Sequence, residues 1–390
     1  MIRAAPPVAS TPSLPDPALA PALKASLAAS HGVLDFPIGA AIEPASTTGT
    51  DAALLRKHYS SITAENAMKP ATIWPNAPGT TDPAAAPNFV PADTLVTFAA
   101  TNGMQLRGHT LLWHQTAPSW FFAGDQSDAA NYRAAVRQRL HDYIFAVVQH
   151  FPGVYAWDVV NEVATDTPNA SNPYRIDSPW YVAYALGGND GSEYVRDAFT
   201  FAAQARATIP GKSSVNMKLM LNDYNTEIPG KRANVMKIVQ DLVNAGIPID
   251  GVGHQFHLQV GADVAQVTAA LAAVEGISIA LVNHVTELDV SLYADTGNCY
   301  TARTIPPCLA DNGANAPLAI LSQQAALYRA LYNAFNRPSV TSITTWGLAD
   351  NHTWLNTFPV SRTNRPLLFD ISGNPKWAFW AVVDSSIALP

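Results

Sequence analysis

The sequence predicts a single-domain α/β protein with the architecture of a (β/α)8 TIM barrel. Eight apolar stretches rich in β-branched residues alternate with segments that have the apolar spacing of amphipathic helices. Polar residues follow most of these predicted strands at the C-terminal end, where barrels of this class carry their chemistry. A barrel that only packs would spread such residues over both rims, so the pattern favours an enzyme.

The predicted strands are short apolar runs bounded by turn residues, and they cover residues 36–42, 61–64, 104–108, 154–162, 217–221, 251–256, 277–287 and 340–345. The predicted helices lie between them, at residues 22–30, 51–58, 93–101, 128–147, 193–207, 229–245, 264–274, 317–335 and 376–387. Three local signals set helix ends: Ser127 or Asp128 as a capping residue, Pro229 at a first turn, and Gly103 after a last turn. We therefore expect one barrel domain over residues 22–390. Residues 1–21 are rich in Pro and Ala, and we expect them to form a poorly ordered lead.

Composition excludes several classes of function. The chain has 390 residues, of which 48% are hydrophobic and 14% charged, so a large core can form. Its net charge is -7 and its Lys and Arg residues are scattered, which argues against a nucleic-acid partner. No apolar run is long enough to span a bilayer. We expect a monomer that contacts neither membrane nor nucleic acid.

The two cysteines, Cys299 and Cys308, flank one irregular segment bounded by Gly and Pro. They could be free thiols, but their place in a single long loop favours a local disulfide. A disulfide would require an oxidising compartment, which predicts a secreted or periplasmic protein. Their spacing is not typical of a metal site.

Two glutamates end predicted strands far apart in the chain. Glu162 closes the fourth strand and Glu287 the seventh, so a barrel would bring both to the same rim. Such a pair could bind a cation, or act as acid and nucleophile on an acetal. A cation needs several more hard oxygen ligands, whereas this rim offers Asn, His, Gln, Lys and Trp, which suit neutral hydroxyls. We expect no metal and no cofactor.

Two histidines at the end of the sixth predicted strand have different expected positions. His254 and His257 are three residues apart, so strand alternation directs them to opposite faces and argues against a shared zinc. Gln255 shares a face with His257, as Asp289 does with Glu287. This arrangement predicts an imidazole beside the second glutamate, although a lone histidine can also be an ordinary core residue.

The motifs in chain order resemble those of a glycoside hydrolase family 10 endo-β-1,4-xylanase. Eight matching segments run in family order over nearly the whole chain: Thr63–Lys69, Gly108–His114, Trp157–Glu162, Asp177–Tyr181, Asn222–Asn225, Gly251–His257, Thr286–Asp289 and Trp346–Asp350. Any one of these segments alone would be weak, but eight in order are highly specific.

The resemblance implies a retaining hydrolase that cleaves xylan and xylo-oligosaccharides by double displacement. It makes Glu162 the general acid/base and Glu287 the nucleophile, held in place by His257, Gln255 and Asp289. It also implies a set of sugar-binding residues: Glu65, Asn66, Lys69, His109, Trp113, Asn161, Tyr224, Trp346 and Trp354. The tryptophans could instead be core residues, and a β-1,4-glucanase or a non-catalytic sugar-binding barrel remain alternatives.

Overall fold

Eight parallel strands close into a barrel in a computed structural model that describes residues 13–79, 85–304, 306–311 and 313–390. Residues 1–12 of the predicted lead lie outside the described residues, and the domain boundary at residue 22 stays a prediction. The strands are β1 Ile38–Ile42, β2 Ser61–Ala64, β3 Gln105–Gly108, β4 Ala156–Asn161, β5 Lys218–Asp223, β6 Gly251–His254, β7 His257–Gln259, β8 Val282–Ser291 and β9 Val340–Thr345. The ring runs β1-β2-β3-β4-β5-β6-β8-β9 and closes on β1, while β7 pairs only with the end of β8.

Helices surround this ring. Those in the described part of the chain are α1 Leu23–His31, α2 Gly49–His58, α3 Pro70–Ile73, α4 Val90–Thr101, α5 Ala129–His150, α6 Pro179–Ala185, α7 Glu193–Ala207, α8 Pro229–Asn244, α9 Val264–Ile277, α10 Gly297–Thr301, α11 Leu318–Phe335 and α12 Trp377–Val383. The Asp128 side chain accepts a hydrogen bond from the backbone N–H of Asn131, as its capping signal predicts. None of the described helices combines the length and apolarity needed to cross a bilayer.

The core explains why the strands read as continuous apolar runs. Every residue of β1 and of β4 is buried, because each strand packs against the barrel interior on one face and a helix layer on the other. The α5 residues Val136, Leu140 and Ile144 are fully buried in the same cluster as the strand residue Trp157. The predicted (β/α)8 fold class is confirmed.

Most predicted strands differ from the observed ones by one or two residues at an end, and two of the strand predictions are wrong in ways that affect the site. The predicted strand at 277–287 mixes the end of α9, which continues to Ile277, with a turn in which Ile279 is fully exposed. The strand itself begins at Val282 and continues to Ser291, so Glu287 lies within it. The predicted strand at 251–256 stops at His254, because Phe256 has a φ of 49° and interrupts the extended backbone.

Candidate active site

The two glutamates lie at the C-terminal rim of the barrel. Glu162 directly follows β4, and its backbone N–H donates to the Asn222 carbonyl of β5 at 2.9 Å. Glu287 lies on β8, three positions further around the ring, and is only 4% exposed. The barrel thus brings together two residues that are distant in the sequence.

A continuous path of hydrogen bonds connects the two carboxylates. The Asn222 amide nitrogen donates to Asn161 Oδ1 at 2.8 Å and to Glu287 Oε1 at 2.7 Å. The Gln255 amide nitrogen donates to the same Asn161 oxygen and to Glu162 Oε1, both at 3.2 Å. Each amide nitrogen carries two N–H groups, so both can make these bonds at once. The path fixes Asn161 between the two glutamates.

Gln255 has a different partner from the one predicted. The family resemblance makes it one of the residues that hold Glu287, but its amide contacts Glu162 and Asn161. The left-handed backbone at Phe256 interrupts the strand between Gln255 and His257, and His257 then pairs with Asp289 of β8 and contacts Glu287. Alternation along a regular strand could not reveal this difference.

Histidine 257 holds Glu287 in its ionised form. Its Nε2 lies 3.1 Å from Glu287 Oε2, and its Nδ1 lies 2.8 Å from Asp289 Oδ2. Burial disfavours the imidazolium, but the two carboxylates outweigh it and raise the His257 pKa to about 10. Burial also acts to raise the pKa of Glu287. The hydrogen bond from His257, the nearby His109 and the Asn222 amide outweigh it and lower that pKa to about 2.

Glu162 has the opposite electrostatic environment. Burial, followed by the negative charge of Asp223, raises the Glu162 pKa to about 7. Hydrogen bonds from Trp113, at 2.9 Å, and from Gln255 act in the other direction without reversing the shift. At mildly acidic pH the site therefore contains one protonated and one ionised carboxyl group. Environments that separate two pKa values in this way are typical of a pair of carboxyl groups with different catalytic roles.

The backbone at Glu162 is held in an uncommon conformation. Its φ is 59°, a left-handed value that is unfavourable for residues with a side chain. Arg175 Nε donates to the Glu162 carbonyl at 3.2 Å, and Lys231 Nζ donates to the Ala164 carbonyl at 2.7 Å. The Asp223 carboxylate accepts from the Ala164 N–H at 3.1 Å. Three side chains from different parts of the chain thus secure the turn that carries Glu162.

Sequence reasoning missed several residues that support the site. Lys231 and Asp223 form an ion pair at 3.0 Å and are 3% and 0% exposed. Asp158 accepts from Arg107 and lies 2.9 Å from His109 Nδ1, which orients that ring. The sequence offers one signal for them: Asp158 is a charged residue within a predicted buried strand, and Asp223 follows the end of another. Their partners are distant in the sequence and appear only in the fold. Asn222 follows the predicted fifth strand, but its sequence position alone predicts no role for it.

Three of the residues predicted to bind sugar lie together after β2: Glu65, Asn66 and Lys69. Lys69 Nζ donates to Asn66 Oδ1 at 2.8 Å and lies 5.0 Å from the ring centre of Trp113. Burial, together with the charge of nearby Glu43, raises the pKa of Glu65 to about 7. A polar group of this kind, bordered by one indole ring, suits the hydroxyls and flat face of a sugar.

Two predicted tryptophans border the second glutamate. The Trp346 ring packs edge-on to His109 at 5.2 Å and is 7% exposed. Trp354 donates from Nε1 to Asp289 Oδ2 at 2.9 Å, and its ring centre lies 4.9 Å from that of His257. Both rings thus contact residues around Glu287, and their sugar-binding roles stay predictions.

Tyr224 is more constrained than its predicted role as a sugar platform requires. Its hydroxyl donates to Asp166 at 2.6 Å and accepts from Arg175 at 2.8 Å. The Lys231 ammonium lies 4.3 Å from the ring centre and covers one face. Only the other face of the ring is therefore free of this cation.

The structure joins Cys299 and Cys308 in a disulfide, with Cα atoms 5.5 Å apart. Within residues 13–79, 85–304, 306–311 and 313–390, no group of three or more His, Cys, Asp or Glu side chains could hold a metal ion.

Comparison with known proteins agrees with this geometry. Residues 26–385 match the model of glycosyl hydrolase family 10. The chain is 40% identical over 365 residues to a thermostable celloxylanase of Thermoclostridium stercorarium, covering 90% of this chain and 85% of the relative. It is 36% identical over 369 residues to endo-1,4-beta-xylanase A of Halalkalibacterium halodurans, covering 90% and 84%.

The fold of this chain also matches that of a solved structure. The crystal structure of xylanase B from Clostridium stercorarium F9 matches with a TM-score of 0.78 and 39% identity, over 93% of this chain and 99% of that one. Together with the family match across most of the chain, these likenesses establish that the protein belongs to glycosyl hydrolase family 10.

Proposed function

We propose that this protein is an endo-β-1,4-xylanase that cleaves xylan with retention of anomeric configuration. The observation that carries the proposal is the opposite pKa shift of its two glutamates, to about 7 for Glu162 and about 2 for Glu287. Retention requires one carboxylic acid and one carboxylate about 5–5.5 Å apart, one on each side of the scissile bond. The path of amide hydrogen bonds between the two carboxylates supports such a close pairing.

In the first step, a Glu287 carboxylate oxygen attacks the anomeric carbon. The bond from that carbon to the leaving oxygen breaks, and Glu162 donates its proton to the leaving oxygen. His257 and Asn222 hold the Glu287 carboxylate through one oxygen each, which orients it for attack. The product is a glycosyl ester of Glu287.

In the second step, Glu162 acts as a base. Esterification removes the negative charge of Glu287, which is one cause of the raised Glu162 pKa, so that pKa falls. Glu162 then accepts a proton from water as the water oxygen attacks the anomeric carbon. The ester bond breaks, the Glu287 carboxylate is restored and Glu162 is again protonated.

The choice of xylan rests on the motifs and on the relatives. Relatives named as xylanases match over most of this chain, and the residues expected to line the cleft provide hydroxyl partners and flat rings. One relative is named a celloxylanase, so a β-1,4-glucan is the substrate to test beside xylan.

A reducing-sugar assay on xylan and on carboxymethylcellulose tests this function. We expect rapid release from xylan, slow or no release from carboxymethylcellulose, and no release by a Glu287→Ala variant. Equal rates on both polymers would favour a broader β-1,4-glycanase. Release that survives in Glu287→Ala would remove that glutamate from the mechanism.

The same proposal places the protein outside the cytoplasm. Polymeric xylan does not enter cells, and the Cys299–Cys308 disulfide is typical of oxidising compartments. Fractionation of the source cells tests this, since recovery of the protein only from the cytosol would contradict it.

A further inference from the structure

A series of aromatic rings leads away from the catalytic centre toward the disulfide loop, residues 299–308. The ring of Trp354, which contacts His257, stacks on Phe358 with centroids 4.9 Å apart and an interplanar angle of 19°. The ring centroid of Phe358 in turn lies 5.7 Å from that of Tyr300, which belongs to α10 and the disulfide loop. Tyr300 is 39% exposed, so the series ends in a ring that solvent can reach.

A hydrogen bond and a neighbouring disulfide restrict the movement of the exposed Tyr300 ring. The Gln259 amide donates to the Tyr300 hydroxyl at 3.1 Å, and the adjacent Cys299 is joined to Cys308. Arg362 donates to the Cys308 carbonyl at 2.7 Å and also pairs with Asp295, which anchors the far end of the loop. An exposed aromatic ring held in this way loses little conformational entropy when a ligand binds to it.

Tyr300, the exposed end of this series, is held by Gln259 on the far side of the barrel from the residues after β2, whereas Trp354 and Phe358 follow β9. In an eight-stranded ring β2 and β6 are opposite, and Gln259 lies on β7, which follows β6. Gln259 is two residues beyond His257, roughly 7 Å further along an extended backbone. A chain that runs from Glu65 past both glutamates would therefore reach this side with its leaving-group end.

A cation adjoins the same ring system. The Arg303 guanidinium lies 5.2 Å from the ring centre of Phe358, and its Nε donates to the Tyr300 carbonyl at 3.4 Å. The neighbouring Arg362 is paired with Asp295, whereas Arg303 makes no ion pair with a carboxylate of the described chain. An exposed guanidinium beside a flat ring is suited to a sugar that carries a carboxylate.

We propose that Tyr300, Phe358 and Arg303 form a distal subsite on the leaving-group side of the cleft. In this subsite a xylose ring packs on Tyr300, and Arg303 pairs with the carboxylate of a uronic acid side group. The inference rests on the proposed function, because it extends the substrate of the same cleft from plain xylan to uronate-bearing xylan.

The test compares Tyr300→Ala and Arg303→Gln with the wild-type protein on three substrates. These are a uronate-bearing xylan, the same xylan with its carboxyl groups chemically reduced, and a short aryl xyloside that does not reach the subsite. Leu309→Ala, an exposed apolar residue near the end of the same loop, is the matched control. Thermal unfolding of each variant, compared with the wild type, checks that the protein still folds.

We expect Tyr300→Ala to raise KM about three- to ten-fold on both polymers, with kcat and the aryl xyloside reaction unchanged. Arg303→Gln should raise KM about two- to five-fold on the uronate-bearing polymer alone, and high salt should abolish that difference. The control variant should match the wild type on all three substrates.

Three results would overturn the subsite. The first is a KM of Tyr300→Ala on both polymers equal to that of the wild type. The second is a loss of activity in Tyr300→Ala that is as large on the aryl xyloside as on the polymers. The third is an equal rise of KM on both polymers in Arg303→Gln. Failure of the proposed function looks different, because the wild-type protein would then release no sugar from either xylan.

Discussion

Replacing Gln255 by Leu tests whether that residue acts on Glu162 or on Glu287. In the structure its amide donates to the Glu162 carboxylate, and that bond stabilises the ionised form of Glu162. Loss of the donor should raise the pKa of Glu162, so that the acid form persists to higher pH. If Gln255 instead positioned Glu287, as the sequence predicts, the change would appear in the ionisation of Glu287.

The size of the effect follows from the length of the bond. A hydrogen bond to a charged group contributes about 1.5–3 kcal/mol, and the 3.2 Å distance places this one near the lower value. Since about 1.36 kcal/mol corresponds to one pKa unit, the pKa of Glu162 should rise from about 7 to about 8.

The assay is the pH dependence of kcat/KM on a short aryl xyloside, which reports the free enzyme. The basic limb should move upward by about one unit in Gln255→Leu, while the acidic limb, set by Glu287, stays in place. Gln138→Leu is the control, because Gln138 also donates to a carboxylate, that of Asp142, but lies on α5 and is exposed. A shift confined to the acidic limb, or none, would refute this assignment of Gln255.

Two other substitutions test the supports of the site. Lys231→Met breaks the buried pair with Asp223 and should lower the free energy of unfolding by about 3–5 kcal/mol in urea, whereas Lys237→Met, which removes an exposed pair with Asp241, should cost at most about 0.5 kcal/mol. Equal losses would show that the buried pair has no special role. His257→Ala removes the cation beside Glu287, so the pKa of that carboxyl should rise from about 2 and the acidic limb of kcat/KM should move upward by about 1–3 units. An unmoved acidic limb would contradict the assignment of His257.

The sequence was sufficient to predict the fold class because each local signal repeats. Strand β2 and strand β9 have the predicted boundaries, since short β-branched runs there stand between clear turn residues. The predicted strand around Glu287 begins five residues too early, because the apolar residues at the end of α9 continue its pattern. Hydrophobic pattern alone does not distinguish the end of a buried helix from the start of a buried strand.

In the candidate site, the sequence predicts several of the residues but not the contacts between them. Strand ends indicated Glu162, Asn161 and His257 because parallel strands of a barrel end on one rim. The partners of these residues could not be predicted, since Gln255 contacts Glu162 only because the left-handed backbone at Phe256 interrupts the strand. Cross-barrel pairs of this kind depend on side-chain geometry, which spacing in the sequence does not encode.

Retention of configuration is the central claim, and proton NMR of the first product tests it most directly. A xylo-oligosaccharide is cleaved in the spectrometer, and the anomeric signal of the new reducing end is recorded before mutarotation. Double displacement through Glu287 predicts that the β-anomer appears first and the α-anomer later. Initial appearance of the α-anomer would mean direct attack by water and would contradict the roles assigned to both glutamates.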